Sequence, residues 1–329
     1  MDPGKRGVLL LNLGGPESLA DVRPFLYNLF SDPEIVRIRS DRLRRSLAWF
    51  IATTRQRKSC ALYRQIGGGS PLRRITNAQA AALSARMEIL DCPSSVYVGM
   101  RCWKPTIEEA AGKILADRIN RLLVLPLFPQ YSLTTSGSCI RYFQTIAQKI
   151  GLSVRARISY VDSWFEEPLY IDAMADAVRD AVRMIEAESP REIRLLYSAH
   201  SIPARYLKEG DPYLTQIQKT VTLINERLGN AYSSTLAFQS KVGPVKWLEP
   251  ATKDMILKLG REGVKRLVLI PVGFVSDHIE TLQEIDILYK QLAEKAGVRE
   301  FRRAASLNLY PKFIDALAEI SLRAFRTTP

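Results

Sequence analysis

Short apolar runs alternate along the chain with stretches whose apolar positions recur every three to four residues. The runs read as strands buried on both faces and the stretches as helices that cover them. Their alternation predicts parallel sheets flanked by helices. The runs also fall into two matching sets. Residues 7–12, 96–99 and 121–129 form the first; 193–197, 235–239 and 266–274 repeat the order. The third members agree closely: Arg121-Leu-Leu-Val-Leu-Pro126 and Arg266-Leu-Val-Leu-Ile-Pro271, with Phe128 and Phe274 just beyond. The second members both run into a basic loop with Trp and Pro, Arg101-Cys-Trp-Lys-Pro105 and Lys241-Val-Gly-Pro-Val-Lys-Trp247. The pattern predicts an α/β chain of two similar halves facing each other across a cleft. The division is expected near Gln130, giving domains over 1–130 and 131–306. Within 307–329, Phe313, Leu317, Ile320 and Ala324 fall on one helical face. That helix is expected to pack back on the first half.

Chemistry gathers at two strand ends. After the run 267–270, Pro271 and Gly273 stop the strand, and Ser276 or Asp277 can cap a helix running through Tyr289. At α spacing Asp277, Glu280 and Glu284 share one face, beside His278. A His with a row of acids suits a cation or proton traffic. A capped surface helix whose acids offset nearby Lys and Arg fits the same letters. The chain has only two histidines, and the other, His200, also ends an apolar run, in Tyr197-Ser-Ala-His-Ser-Ile-Pro203. Open α/β sheets bind ligands outside the carboxyl ends of their strands, where both histidines fall.

Length and composition add bounds. At 329 residues and 47% apolar, the chain has room for two ordinary cores. No apolar run approaches the roughly 18 residues of a membrane span. The first residues carry no signal-peptide cleavage pattern. Cys60, Cys92, Cys102 and Cys139 are scattered, which predicts reduced thiols in a cytoplasmic setting rather than disulfides or a zinc site. The net charge is +13, and residues 37–58 hold eight basic side chains against Asp41 alone, a local +7. Leu43, Leu47, Phe50 and Ile51 form an apolar stripe there, with Trp49 beside it. A basic amphipathic helix of this kind suits the anionic inner face of a membrane; an ordinary surface helix is the other reading. No aromatic-and-basic RNA motif or helix-turn-helix pattern argues for nucleic acid. The loops Leu13-Gly-Gly-Pro-Glu17 and Ile66-Gly-Gly-Gly-Ser-Pro71 match neither phosphate-binding glycine pattern. Tight turns, or close backbone approach to a flat ligand, are expected instead.

Taken together and in order, eight segments resemble the ferrochelatases: Leu11-Asn-Leu-Gly-Gly-Pro-Glu17, Tyr63-Arg-Gln-Ile-Gly-Gly-Gly-Ser-Pro-Leu72, Pro129-Gln-Tyr-Ser132, Tyr197-Ser-Ala-His-Ser-Ile-Pro203, Gly210-Asp-Pro-Tyr213, Gln239-Ser-Lys-Val-Gly-Pro244, Trp247-Leu248 and Ser276-Asp-His-Ile-Glu-Thr-Leu282. The resemblance runs from about residue 7 to about residue 320. It implies two Rossmann-like domains and insertion of ferrous iron into protoporphyrin IX to give protohaem. It makes His200 a proton acceptor or metal ligand and Glu280 its partner, with His278, Glu284 and Asp277 in support. It places Leu13 and Trp247 against the macrocycle and offers Arg64, Arg101 and Ser240 as propionate contacts. No permanently bound cofactor is implied, and a monomer is expected.

Some positions depart from the family pattern. Leu133 stands where animal-type members have a cluster cysteine, and no cysteine-rich tail precedes Pro329, so no [2Fe–2S] cluster is expected. Leu288 stands at the third position of an acidic ladder begun by Glu280 and Glu284. Cys102 and Lys104 replace a Tyr and a His. Two other readings remain open to these residues: a chelatase for another tetrapyrrole such as coproporphyrin III, and a non-catalytic haem or porphyrin carrier. Retention of both His200 and Glu280 argues against a carrier, which needs no proton acceptor.

Overall fold

The computed structural model describes residues 4–241 and 245–327. Val242, Gly243 and Pro244, the end of one motif above, lie outside the described residues. The chain divides into two compact units. One holds the residues up to Trp164 together with those from Ile314 on; the other is Phe165–Phe313.

In the first unit, β1 (Arg6–Asn12), β2 (Ser95–Met100), β3 (Arg121–Pro126) and β4 (Arg157–Tyr160) form a parallel sheet of order β2-β1-β3-β4. In the second, β5 (Ile193–His200), β6 (Ser233–Gln239), β7 (Arg266–Pro271) and β8 (Glu300–Arg303) repeat it as β6-β5-β7-β8. Each unit is therefore Rossmann-like, and the apolar runs behave as strands buried on both faces should. Leu9, Leu11 and Val124 pack with Ile107, Ile114 and Phe143 of covering helices. Leu196, Leu267 and Leu269 do the same with Ile256 and Ile285.

The sheets match residue by residue. β1 and β3 pair Leu11 with Pro126, and β5 and β7 pair Ser198 with Pro271. Taking the two prolines as equivalent, Leu11 corresponds to Ser198. Two residues further on, Leu13 stands in the first unit where His200 stands in the second.

The division falls at Trp164, not near Gln130. The reason is β4, which pairs in parallel with β3 and carries the first unit past residue 130. Its counterpart β8 was equally hidden. Arg157-Ile-Ser-Tyr160 and Glu300-Phe-Arg-Arg303 are four-residue edge strands with polar ends, too short to show a period. The last helix, Pro311–Thr327, buries Phe313, Leu317 and Ile320. Asp315 on it pairs with Arg86 at 2.6 Å, within the first unit.

The two glycine-rich loops close on each other. Gly14 has φ +89°, and a Cβ there would lie 2.6 Å from Trp103 Cβ. A Cβ on Gly69 would lie 2.1 Å from the Glu17 carbonyl oxygen. Beside it the Ser70 amide donates to the Pro16 carbonyl at 2.6 Å. At Gly69 the close approach is backbone to backbone, whereas Gly67 and Gly68, both with positive φ, face open space.

The basic stretch folds as the helix Asp41–Arg64, with Ser40 accepting the Leu43 amide at its start. Ala48, Ala52, Cys60 and Tyr63 face inward. Leu43, Leu47, Trp49 and Phe50 are exposed, Leu43 and Phe50 by 64% and 60%; Ile51 is half-buried.

Candidate active site

β5 and β7 are neighbours in one parallel sheet, so their carboxyl ends open side by side. β5 runs buried through Leu195, Leu196 and Tyr197, narrows to Ser198 and Ala199, and ends on His200. The His200 carbonyl accepts from the Tyr213 hydroxyl at 2.9 Å, which anchors the strand tip. After β7 the chain turns and enters a helix over Glu280–Tyr289. This coil is π rather than α, with one more residue per hydrogen-bonded ring.

The turn delivers Glu280 to His200. His200 Nδ1 lies 3.1 Å from Glu280 Oε2. The same oxygen accepts from Gln239 Nε2 at 3.4 Å. Gln239 is almost fully buried, and its own oxygen accepts from Ser198 Oγ at 2.5 Å; Ser198 in turn meets Thr252 Oγ1 at 2.8 Å. Ser198 thereby orients the amide so that its NH2 faces the carboxylate. His278 Nε2 is 3.8 Å from Glu280 Oε2, too far for a hydrogen bond but within charge range. His278 Nδ1 lies 3.0 Å from the Ser276 carbonyl, and the ring packs on Phe274 with centroids 4.6 Å apart. Phe274 also meets His200 edge-on at 6.3 Å.

The electrostatics follow from this packing. Burial alone would lower the His200 pKa. The charge and hydrogen bond of Glu280, with Glu284 further off, outweigh burial and hold the imidazole above its ordinary value. For Glu280, burial would raise the pKa, but His200 and then His278 hold the carboxyl well below the usual range. Glu284 goes the other way. Burial and the charge of Glu280 raise it, although Tyr289 Oη and Ser240 Oγ donate to it at 2.6 and 2.8 Å. Two carboxyls four residues apart are thus tuned in opposite directions.

Several sequence-read residues gather here: His200, Glu280, His278, Glu284 and Ser240. The Trp247 backbone bridges Pro203, three residues beyond His200, in antiparallel fashion, with the Ala204 amide on the Lys246 carbonyl at 2.8 Å. Asp277 does not share the Glu280 face. The helix begins after Ile279 and coils as π, so α spacing misplaces it. Asp277 turns to the residues after β8 and accepts from Ser306, Asn308 and Thr281 at 2.8, 2.8 and 3.0 Å. Burial would raise its pKa; the Arg303 charge and these bonds reverse that and hold it low. Neither Ser276 nor Asp277 makes a side-chain cap on the helix as assigned.

Leu13, Arg64 and Arg101 belong to the first unit. Leu13 is half-buried after β1, and Arg64 is exposed at the end of its helix. Arg101 is nearly buried, 3.0 Å from Asp32, 3.3 Å from Ser138 Oγ and 3.8 Å above the Tyr142 ring. Leu288, in the third place of the acidic ladder, is exposed.

Gln239, Phe274, Tyr213 and Tyr289 carry no site role in the sequence reading, although Gln239 and Tyr213 lie in segments that resemble the family. Tyr289 is five residues from Glu284, a spacing that does not face it on an α-helix and does so only on the wider coil. Gln239 and Phe274 each close an apolar run, and Gln239 also opens a family-like segment. Among the described residues no group of three or more His, Cys, Asp or Glu side chains is arranged to hold a metal ion.

The fold is that of the chelatases. SirB from Bacillus subtilis with Fe3+ matches at a TM-score of 0.57 over 98% of this chain and 95% of its own, at 13% identity. The sirohydrochlorin chelatase SirB of Bacillus subtilis subspecies spizizenii, in complex with cobalt, matches at 0.52 over the same shares, also at 13%. Sequence goes further: the ferrochelatase family model matches residues 5–324. The ferrochelatase of Gloeothece citriformis is 48% identical over 322 residues, 98% of this chain and 83% of the relative. The chain belongs to the ferrochelatase family.

Proposed function

We propose that the protein inserts Fe(II) into protoporphyrin IX and releases protohaem, acting as a metal-chelating lyase. The observation that carries the reading is the 3.1 Å His200–Glu280 pair at neighbouring strand ends. Metallation of a free-base ring replaces two pyrrole protons by one divalent ion, so the site must accept protons and stabilise positive charge. As a carboxylate Glu280 only accepts, so it takes a hydrogen bond from the Nδ1–H of His200, which keeps that proton and leaves Nε2 as the base. Imidazole and carboxylate also suit ferrous iron in passage. Glu284, which burial and the charge of Glu280 hold above its ordinary pKa, is assigned the next step of the proton path. Trp247 is assigned to a face of the ring. Ser240 is committed to Glu284 and Arg101 to Asp32.

The exposed Leu43, Leu47, Trp49 and Phe50, set in a local +7, support docking on an anionic membrane face in the cytoplasm. No helix among the described residues is long and apolar enough to cross a membrane. We assign no [2Fe–2S] cluster; Leu133, at the position of the animal-type cluster cysteine, supports that.

Anaerobic incubation with ferrous iron and protoporphyrin IX tests the function. Free-porphyrin fluorescence should fall as haem absorption rises. Turnover with coproporphyrin III alone, or tight ring binding without metallation, would overturn the reading.

A further inference from the structure

One buried arginine, which touches none of the reacting groups, pairs with acids on both sides of the Glu280–Glu284 stretch. Arg303, the last residue of β8, has a side chain only 12% exposed. Its guanidinium grips Asp286 in bidentate fashion, Nε to Oδ1 at 2.7 Å and Nη2 to Oδ2 at 3.0 Å. It also reaches Asp277 Oδ1 at 3.1 Å and Ser306 Oγ at 3.2 Å through Nη1. Asp277 lies just before the π-coiled helix, and Asp286 lies on it. One planar fork therefore ties two carboxylates nine residues apart in sequence, with Glu280 and Glu284 between them. The residues after β8 tighten the near end. Asn308 Oδ1 accepts the Asp277 amide at 2.9 Å, and the Asn308 amide donates to the Val275 carbonyl at 2.8 Å.

Such a tie restricts more than position. A π coil is rare beyond a single turn inside an α-helix, so a tie that α geometry would break favours it over α. Reversion would rotate Asp286 relative to Asp277, and a single guanidinium could no longer serve both. It would also swing Glu284 and Tyr289 out of register with each other and with Ser240. Lysine, a point donor without the fork, cannot close the same bridge.

We propose that Arg303 is a positioning residue for metallation: by bridging Asp277 and Asp286 it holds the π register that aims Glu280 at His200. The proposal rests on the metal-insertion reading above. Removing Arg303 leaves Asp277 with its Ser306, Asn308 and Thr281 donors and leaves Asp286 partly in solvent, so the variants should fold.

The test uses Arg303→Lys, Arg303→Gln, Asp286→Asn and the Arg303→Gln/Asp286→Asn double variant. Anaerobic initial rates with ferrous iron and protoporphyrin IX are expected to show kcat lowered about tenfold or more in each. Porphyrin Kd, by fluorescence titration, should stay within about twofold of the parent. The double variant should lose no more than the worse single one, because each change breaks the same bridge. Amide hydrogen exchange should rise across 279–289 while β5 and β7 keep their protection. Parent-like kcat in Arg303→Gln, full rescue by Arg303→Lys, additive losses, or kcat falling in proportion to ring binding would each overturn the proposal. The exchange measurement needs no turnover. If the parent fails to metallate, the functional reading falls, while unchanged exchange in a folded Arg303→Gln would refute the clamp itself.

Discussion

His200 Nδ1 stands 3.1 Å from Glu280 Oε2 although 80 residues separate them in sequence. One residue ends β5; the other opens the helix beyond its neighbour β7. Neither needs a long reach, because parallel pairing already sets the two strand tips side by side.

Glu280→Gln preserves shape and removes the charge that fixes the His200 tautomer. Metallation should fall by about 10²-fold or more, the scale of a lost acid–base group. Glu284→Gln should cost clearly less, since Glu284 stands one step further along the proposed proton path. Side-by-side initial rates decide it; a larger loss at Glu284 would reverse the assigned order of the two acids.

The pair also predicts a pH signature in the metal-free protein. His200 titrates above its ordinary 6.5, so its contribution to stability is complete below 6.5 and is lost as pH rises through the raised value. Glu280 titrates below its ordinary 4.5, so its contribution is present above 4.5 and is lost as pH falls through the depressed value. The gap in Tm between the parent and His200→Ala should therefore be widest between pH 4.5 and 6.5 and shrink toward pH 9. A gap that does not vary with pH would rule out the pair as a stabilising contact.

Much of this was legible beforehand, for identifiable reasons. Six strands announced themselves because strands buried on both faces leave uninterrupted apolar runs. The two histidines stood out because each sits where such a run stops. β4 and β8 left no comparable trace, each having four residues and polar ends, and the expected domain boundary moved with β4. The acidic face was read at α spacing. The chain coils as π over Glu280–Tyr289, so Asp277 turned out to face Arg303, and Tyr289 came to Glu284 unannounced. Helix type here depends on a tertiary bridge, which no local periodicity encodes.

The exposed stripe on Asp41–Arg64 predicts vesicle binding that grows with anionic lipid and weakens with salt, since these charges are screened over roughly 8–10 Å. Arg42 and Arg45 are exposed, whereas Arg44 is bound to the Ser31 and Ile38 carbonyls and should be left alone. Arg42→Glu with Arg45→Glu, or Trp49→Ser with Phe50→Ser, should reduce co-sedimentation while turnover in detergent stays near the parent's. Undiminished co-sedimentation in both double variants would place the contact elsewhere.

Protein purified anaerobically should show neither the visible bands of an iron–sulfur cluster nor stoichiometric acid-labile sulfide. About two irons and two sulfides per chain would refute the assignment made from Leu133.

Proton removal by His200 is most directly tested by His200→Ala, with initial rates and ring binding measured on the same anaerobic preparation. The account predicts a rate lower by about 10²–10⁴-fold, with protoporphyrin affinity within about twofold of the parent. A near-parent rate, or a rate that falls only as far as ring binding does, would contradict it.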